Sequence, residues 1–242
     1  MKQAYFHSSL EIFLTYNTDE IVGKLNKAGT AFTSQYTMAT TSWDSSIEIL
    51  KNSCRELIET NLAAKDWHIL LEYEIPRIQT RIDAVIIADD LIFVIEFKYD
   101  RSTYKSSDLR QAEKYAGQLH DFHLESKDKI IIPVLLAPKA KSLLRATDLF
   151  FDSLIKPCLK VNETNFSNLL YETYLDFHKI NNELIDSDKW EQSEYEPTPK
   201  IIEAAKALFA GKKVETITKS VAGTNELKKK SKEEYHSKYF AS

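Results

Sequence analysis

Three polar residues stand out from the apolar runs around them: Asp83, Glu96 and Lys98, within ILLEYEIPRIQTRIDAVIIADDLIFVIEFK over 69–98. Two carboxylates and an amine so placed can hold a divalent cation and act on a water bound to it. Oxygen donors favour a hard ion such as Mg²⁺, which keeps several waters and accepts phosphate oxygens, with Mn²⁺ as a substitute. Lys98 then positions or helps deprotonate the water, or screens charge that develops on a phosphate. The plainer reading is an ion pair at a sheet edge, the usual role of such residues on strands. It has to explain two acids in register inside strands that are otherwise apolar.

The elements that position them follow from composition. Thr80–Ala88 and Leu91–Lys98 are dominated by Ile, Val and Phe and are separated by Asp89-Asp90, which suits a tight hairpin turn. With those two residues as the loop, Asp83 lies opposite Glu96 and Arg81 lies opposite Lys98. Directly opposed Cβ atoms sit about 4.5–5.5 Å apart, where like charges repel unless a cation lies between them. Alternation puts Glu96 and Lys98 on one face and the Phe97 side chain on the other, leaving the Phe97 backbone carbonyl near the same point as a third oxygen.

The spacing Asp83-x(12)-Glu96-x-Lys98 resembles the PD-(D/E)XK nuclease superfamily, with Ile82-Asp83 where the name has proline-aspartate. EYEIP at 72–76, RIDAVII at 81–87, FVIEFK at 93–98 and QAEKYAGQLHDFH at 111–123 resemble the nuclease-like domain that precedes a superfamily 1 helicase in certain bacterial proteins. PTPKIIEAAKALFAGKKVETITKSVAG at 197–223 is similar to that family's junction into the helicase. The resemblance implies an α/β, restriction-endonuclease-like αβββαβ core, its mixed sheet flanked by helices, followed by a C-terminal helical tail. It implies Mg²⁺-dependent hydrolysis of phosphodiester bonds, in DNA first, in bacterial DNA processing or defence against phage. Asp83, Glu96 and the Phe97 carbonyl would hold the metal, with Lys98 and Gln111 catalytic. Gln111 and Tyr115 resemble the Q-x-x-x-Y motif of RecB-type nucleases, which lies beside the catalytic site; Tyr115, Arg81, Arg101 and Lys105 are the substrate-binding candidates. Relatives often carry a further acid on the first core helix, near Ser46; here that position is serine, Glu48 should face solvent, and Asp44 is a marginal substitute. No G-x-x-x-x-G-K-[ST] loop occurs, so the helicase motor is missing and the chain either works with a separate helicase or ATPase subunit or stands alone. The competing class is a catalytically silent nucleic-acid-binding or assembly module of the same fold; RNA is the alternative substrate.

The remaining composition sets bounds. At 242 residues, 43% hydrophobic and 28% charged, the chain is long enough for one sizeable α/β domain with an appendage. A net charge of -4 excludes a global basic field, so any nucleic-acid site must be a local patch. Arg101, Lys105, Arg110 and Lys114 add such a local excess after Lys98. Two cysteines, Cys54 and Cys158, both in apolar segments, read as buried thiols of a reducing compartment. No apolar run approaches the ~20 residues of a membrane span, and a cytoplasmic protein is expected.

Along the chain, Ser8 with Glu11 and Asn17 with Glu20 are capping-box patterns that open two short helices. Residues 29–41 read as a loop or flap. Trp43, Ile47, Leu50, Cys54, Leu57 and Ile58 recur at three- and four-residue spacing as the buried stripe of a helix. His68–Ile75 is a strand carrying Glu72 and Glu74 on one face with Leu70; both are expected to pair with Arg77 or Arg81, and Glu74 is the better candidate to reach the metal. A helix starts near Asp108. His120 and His123 lack the further ligands a zinc site needs and read as structural. KIIIPVLLA at 129–137 is a buried strand in which Pro133 marks a bulge or edge. A helix over 142–151, a strand over 155–161 and a helix over 164–178, capped by Asn162 or Thr164, follow. The expected division is a nuclease-like domain over 1–180, a linker over 181–199 and a helical, partly fraying tail over 200–242.

Overall fold

The computed structural model describes residues 3–30, 40–75, 80–143 and 153–194. The chain divides into one unit over Met1–Tyr195 and a second over Glu196–Ser242. The second unit, with the expected tail and the end of the expected linker, lies outside the described residues, as do 31–39 of the expected loop and nearly all of the expected helix over 142–151.

The first unit is α/β. Its six strands are β1 (Phe6–Ser9), β2 (His68–Ile75), β3 (Thr80–Ala88), β4 (Leu91–Phe97), β5 (Ile130–Leu136) and β6 (Leu159–Val161), and they lie side by side in chain order. β1 to β4 are antiparallel neighbours, while β5 and β6 run parallel to β4, so the sheet is mixed and open. The helices are α1 (Leu10–Thr15), α2 (Thr18–Thr30), α3 (Thr40–Thr60), α4 (Ser106–Phe122), α5 (Phe166–Phe177) and α6 (Ser187–Glu191). The expected run of helix, three strands, helix and strand is present as α3, β2, β3, β4, α4 and β5.

Strand alternation sorts the core into two layers. Phe93 and Ile95 point to the face covered by α1, α2, α3 and α5, where Phe13, Leu25, Ile47, Leu50, Cys54 and Leu57 are buried. Ile92 and Val94 point to the other face, against Tyr115, Ala116 and Leu119 of α4 and Trp190 of α6. The buried stripe read for α3 is therefore correct. Both cysteines are free; burial pushes the Cys54 and Cys158 thiols up to about 12.

Several local readings meet a different arrangement. Residues 6–9 are a strand that pairs with β2, and the cap of α1 is Ser9, which accepts from the Ile12 N–H at 3.3 Å, not Ser8. The second capping box is reciprocal as expected: the Glu20 N–H donates to Asn17 Oδ1 at 2.8 Å and the Asn17 N–H to Glu20 Oε2 at 2.9 Å. Around Pro133 the β6-side partner shifts by one between Ile131↔Ile155 and Val134↔Leu159, a bulge where proline has no N–H to offer. The stretch 181–194 is no linker: α6 inserts the fully buried Trp190, whose indole N–H donates to Ser126 Oγ at 2.8 Å. A single large aromatic docks a segment whose composition is otherwise polar. No helix among the described residues is long and apolar enough to cross a membrane.

The β3–β4 turn positions the site. Asp89 is left-handed, with φ of 58°, a conformation aspartate tolerates better than most residues. The Tyr174 hydroxyl donates to Asp89 Oδ2 at 2.7 Å. Asp90, 3% exposed, meets His178 Nδ1 at 2.6 Å and accepts from Asn182 Nδ2 at 2.6 Å and the Lys179 N–H at 3.3 Å. The end of α5 and the segment after it thus hold the turn through its two carboxylates. Replacing Asp90 with alanine leaves those partners without their acceptor and should cost about 2–3 kcal/mol. Urea unfolding should show a lower midpoint with an unchanged slope; an unchanged midpoint would mean that the turn holds without the clamp.

Candidate functional site

The register of the hairpin is the one expected from a two-residue Asp89-Asp90 loop, running from Ala88↔Leu91 to Ala84↔Ile95. The ladder stops there. Beyond it the Phe97 N–H is taken by Asp83 Oδ2 at 2.7 Å, so a carboxylate side chain stands where a backbone acceptor on β3 would have been. What the structure shows of the Phe97 backbone is this donor; its carbonyl remains a candidate ligand only.

β2 is irregular at the matching position. Glu72 has φ of 52°, in the left-handed region that a residue with a Cβ rarely adopts. The pairs Leu71↔Ala84 and Tyr73↔Ile82 flank the opposed Glu72 and Asp83. Leu71 and Ala84 belong to the α3-side core and Tyr73 and Ile82 to the α4-side core, so both strands change phase at these acids. Glu72 therefore does not share a face with Glu74 and Leu70 as simple alternation would have it. It joins Asp83, Trp43, Ser46, Phe97 and Tyr99 in lining a cavity of about 160 Å³.

Glu72 is held there by two partners. The Trp43 indole N–H donates to Glu72 Oε1 at 2.8 Å, and Arg81 Nε forms an ion pair with Glu72 Oε2. Pairing with Arg81 is the structural role expected of it. Burial and the neighbouring Asp83 charge raise the Glu72 carboxyl to about 7, against the lowering effects of Arg81 and Trp43. Glu74, expected to be nearer the metal, does not line this cavity. Ser46 does, while Glu48 is exposed and bonded to the Thr18 hydroxyl and Asp44 is exposed.

On the α4 side, Glu96 is 2% exposed. Its Oε1 accepts from Lys98 Nζ at 2.5 Å, and its Oε2, also buried, has no hydrogen-bond partner. Burial and the Asp83 charge push Glu96 up to about 8 in spite of Lys98. Asp83 is raised as well, by burial first, against the Phe97 N–H and the charges of Lys98 and Arg81. Burial lowers the Lys98 ammonium, but its hydrogen bond to Glu96 and the charges of Glu96, Asp83 and Asp108 outweigh that, and the net shift is upward. Lys98 is an ammonium at neutral pH.

From Lys98 the network continues into α4. Lys98 Nζ donates to Gln111 Oε1 at 3.2 Å, and Gln111 Nε2 donates to the Tyr115 hydroxyl at 2.7 Å. The i,i+4 spacing of Gln111 and Tyr115 puts them on one helix face, and the Lys98 bond fixes the amide orientation. Tyr115 is 8% exposed and belongs to the core as well. Gln111, Tyr115, Arg81, Arg110 and Lys114 line one open groove. Arg101 is exposed and faces Asp108 at 3.7 Å, and Lys105 is exposed at the N-cap of α4; neither lines the cavity or this groove. Arg81 is engaged by Glu72 and lies over the Tyr5 ring at 5.3 Å.

His123 is structural as expected: 1% exposed, it meets the Tyr73 hydroxyl at 2.9 Å and Ser126 Oγ at 2.7 Å, and burial holds it down at about 3. Sequence reasoning ranked Glu72 below Glu74 and did not single out Asp108 or the Trp43 N–H. For Glu72 the deciding fact is a backbone torsion, which composition does not reveal. For Asp108 the signal was present, an acid in the first turn of a helix that follows Lys98 closely.

Comparison of the chain with protein-family models, with curated proteins and with solved structures finds no match.

The raised carboxyls make stability depend on pH. Glu72 and Glu96 lie near 4.5 when unfolded and near 7 and 8 in the fold, so between these limits the folded chain binds more protons than the unfolded one. Stability from these groups is therefore lost as pH rises from about 4.5 to about 8. In the presence of a chelator, Glu96→Gln should show a flatter decline of the urea midpoint than the unchanged chain over this window. Parallel pH profiles would show that Glu96 ionises as freely in the fold as outside it.

Proposed function

We propose that the chain is a metal-dependent nuclease of the PD-(D/E)XK type with a restriction-endonuclease-like core, hydrolysing phosphodiester bonds, DNA before RNA. The observation that carries the reading is Glu96 Oε2: a buried carboxylate oxygen without a hydrogen-bond partner, electrostatically coupled to a second carboxylate on the neighbouring strand. A buried anion in that state is costly unless it is protonated or meets a cation. The donor set fits Mg²⁺ or Mn²⁺: Asp83 and Glu96 would hold the ion, with the Phe97 carbonyl as a further oxygen, and Glu72 borders the cavity that Asp83 lines. Such an ion supplies Lewis-acid polarisation of a phosphate and lowers the pKa of water.

The chain's own residues account for the rest. Lys98, kept protonated by Glu96, holds its proton at Nζ and donates it in hydrogen bonds, which suits charge screening on a phosphate better than abstraction of a proton from water. Gln111 fixes the direction of that ammonium through Oε1 and is itself held by Tyr115. Arg110 and Lys114, with Gln111 and Tyr115, give the groove basic and hydrogen-bonding groups for a strand's backbone. A non-hydrolytic nucleic-acid-binding module is the second reading, favoured by the direct pairing of Glu96 with Lys98 and of Glu72 with Arg81, which partly compensates the acids without any ion.

Labelled duplex DNA, single-stranded DNA and RNA incubated with Mg²⁺ or Mn²⁺ separate these readings. Cleavage should fall by about 10²–10³-fold in Lys98→Ala and in Glu96→Gln, and less in Gln111→Ala. Cleavage retained by Lys98→Ala would remove the assignment. Retention of the strand without cleavage by any variant would favour the binding module.

A further inference from the structure

A second group of metal-ligand side chains lies away from this site. His7 on β1 and Glu191 and Asp188 on α6 bring His Nδ1 and two carboxylate oxygens within 4.8 Å of one another. His7 Nδ1 stands 2.9 Å from Glu191 Oε2 and 3.7 Å from Asp188 Oδ1. Two atoms bound to one ion with bonds of about 2.0–2.2 Å are separated by about 3–4 Å, so these distances need only small adjustments to close on one. The residues come from opposite ends of the first unit and meet where β1 and α6 pass each other.

We propose that His7, Asp188 and Glu191 form a binding site for a divalent transition ion of the Zn²⁺ class, which ties α6 to β1. Three features support this beyond proximity. Glu191 is fully buried, an uncommon place for a carboxylate, and its Oε1 is occupied by the Ala4 N–H at 3.2 Å, which orients Oε2 toward His7. His7 Nε2 is 3.0 Å from His68 Nδ1, so a proton on Nε2 donated to His68 leaves the Nδ1 lone pair for the ion, the outer arrangement that metal-bound histidines commonly have. Asp188 has a side-chain exposure of 76%, giving the ion a route from solvent and leaving coordination positions for water. One imidazole and two carboxylates suit Zn²⁺ or a neighbouring first-row ion better than Mg²⁺. In the absence of metal, the tautomer with its proton on Nδ1 makes the His7–Glu191 hydrogen bond; metal binding takes the other tautomer, with the proton on Nε2 and the Nδ1 lone pair toward the ion.

The test uses the full chain, with Zn²⁺ titrated by calorimetry and Co²⁺ followed through its visible absorption. In a Glu96→Gln background, which weakens the other candidate site, one equivalent of Zn²⁺ should bind and raise the melting temperature. Asp188→Asn, on an exposed side chain that the fold does not need, should remove both effects, and His7→Gln should do the same. His68→Ala should weaken binding by about 10- to 100-fold. Zn²⁺ binding and stabilisation unchanged in Asp188→Asn would overturn the site even if His7→Gln fails to fold, as would the absence of any stoichiometric binding in the Glu96→Gln background. Because the readout is binding in that background, failure here leaves the nuclease reading intact, and the reverse also holds.

Discussion

The register of one hairpin is the constraint on which the candidate site depends. With two turn residues between β3 and β4, Asp83 and Glu96 are directed to the end of the same ladder. A slip of one residue would turn every side chain of one strand to the opposite face. The strands alone specify the register weakly, since both of their faces are buried and apolar. The turn supplies what the faces do not: Asp89 takes the left-handed conformation, and Asp90 is anchored by His178, Asn182 and the Lys179 N–H. An element late in the sequence thus determines where two earlier carboxylates come within electrostatic reach of each other.

The site is assembled by opening the sheet at one point. The β3–β4 ladder gives way to an Asp83 side chain bonded to the Phe97 N–H, and Glu72 opposite takes a backbone conformation that costs of order 1–3 kcal/mol in most settings. Both irregularities place Asp83 and Glu72 at a shared cavity and leave them with raised affinities for protons. A strand pair optimised for stability would carry apolar residues there, as it does at every neighbouring position from Ala84 to Ala88. Local destabilisation concentrated on titratable groups in a cleft is the pattern expected where binding or chemistry supplies the compensation.

How much of this was legible follows from the range of the interactions involved. β2, β3, β4 and α4 were readable because their signals are local: β-branched runs, a two-residue acidic turn, i,i+4 spacing of Gln111 and Tyr115. The Lys98–Gln111–Tyr115 chain follows from that spacing once α4 lies against β4. β1 was missed because four residues, FHSS, carry no periodicity of their own and become a strand only through pairing with β2. The segment 181–194 looked like a linker because its docking rests chiefly on Trp190, against a core built from residues far earlier in the chain, between Leu70 and Ile131. Glu72 was ranked below Glu74 because alternation was extended through a residue whose torsion breaks it.

The electrostatics of the site narrow what Lys98 can do. An amine that accepts a proton from water has to be neutral at working pH, which requires burial to outweigh nearby negative charge. Here the balance goes the other way, because Glu96 is bonded to Nζ and Asp83 and Asp108 add to its field. With the acids as the structure pairs them the ammonium form is favoured, and under the proposed chemistry Lys98 would act as a positive donor beside the position where charge develops, with Gln111 bonded to it.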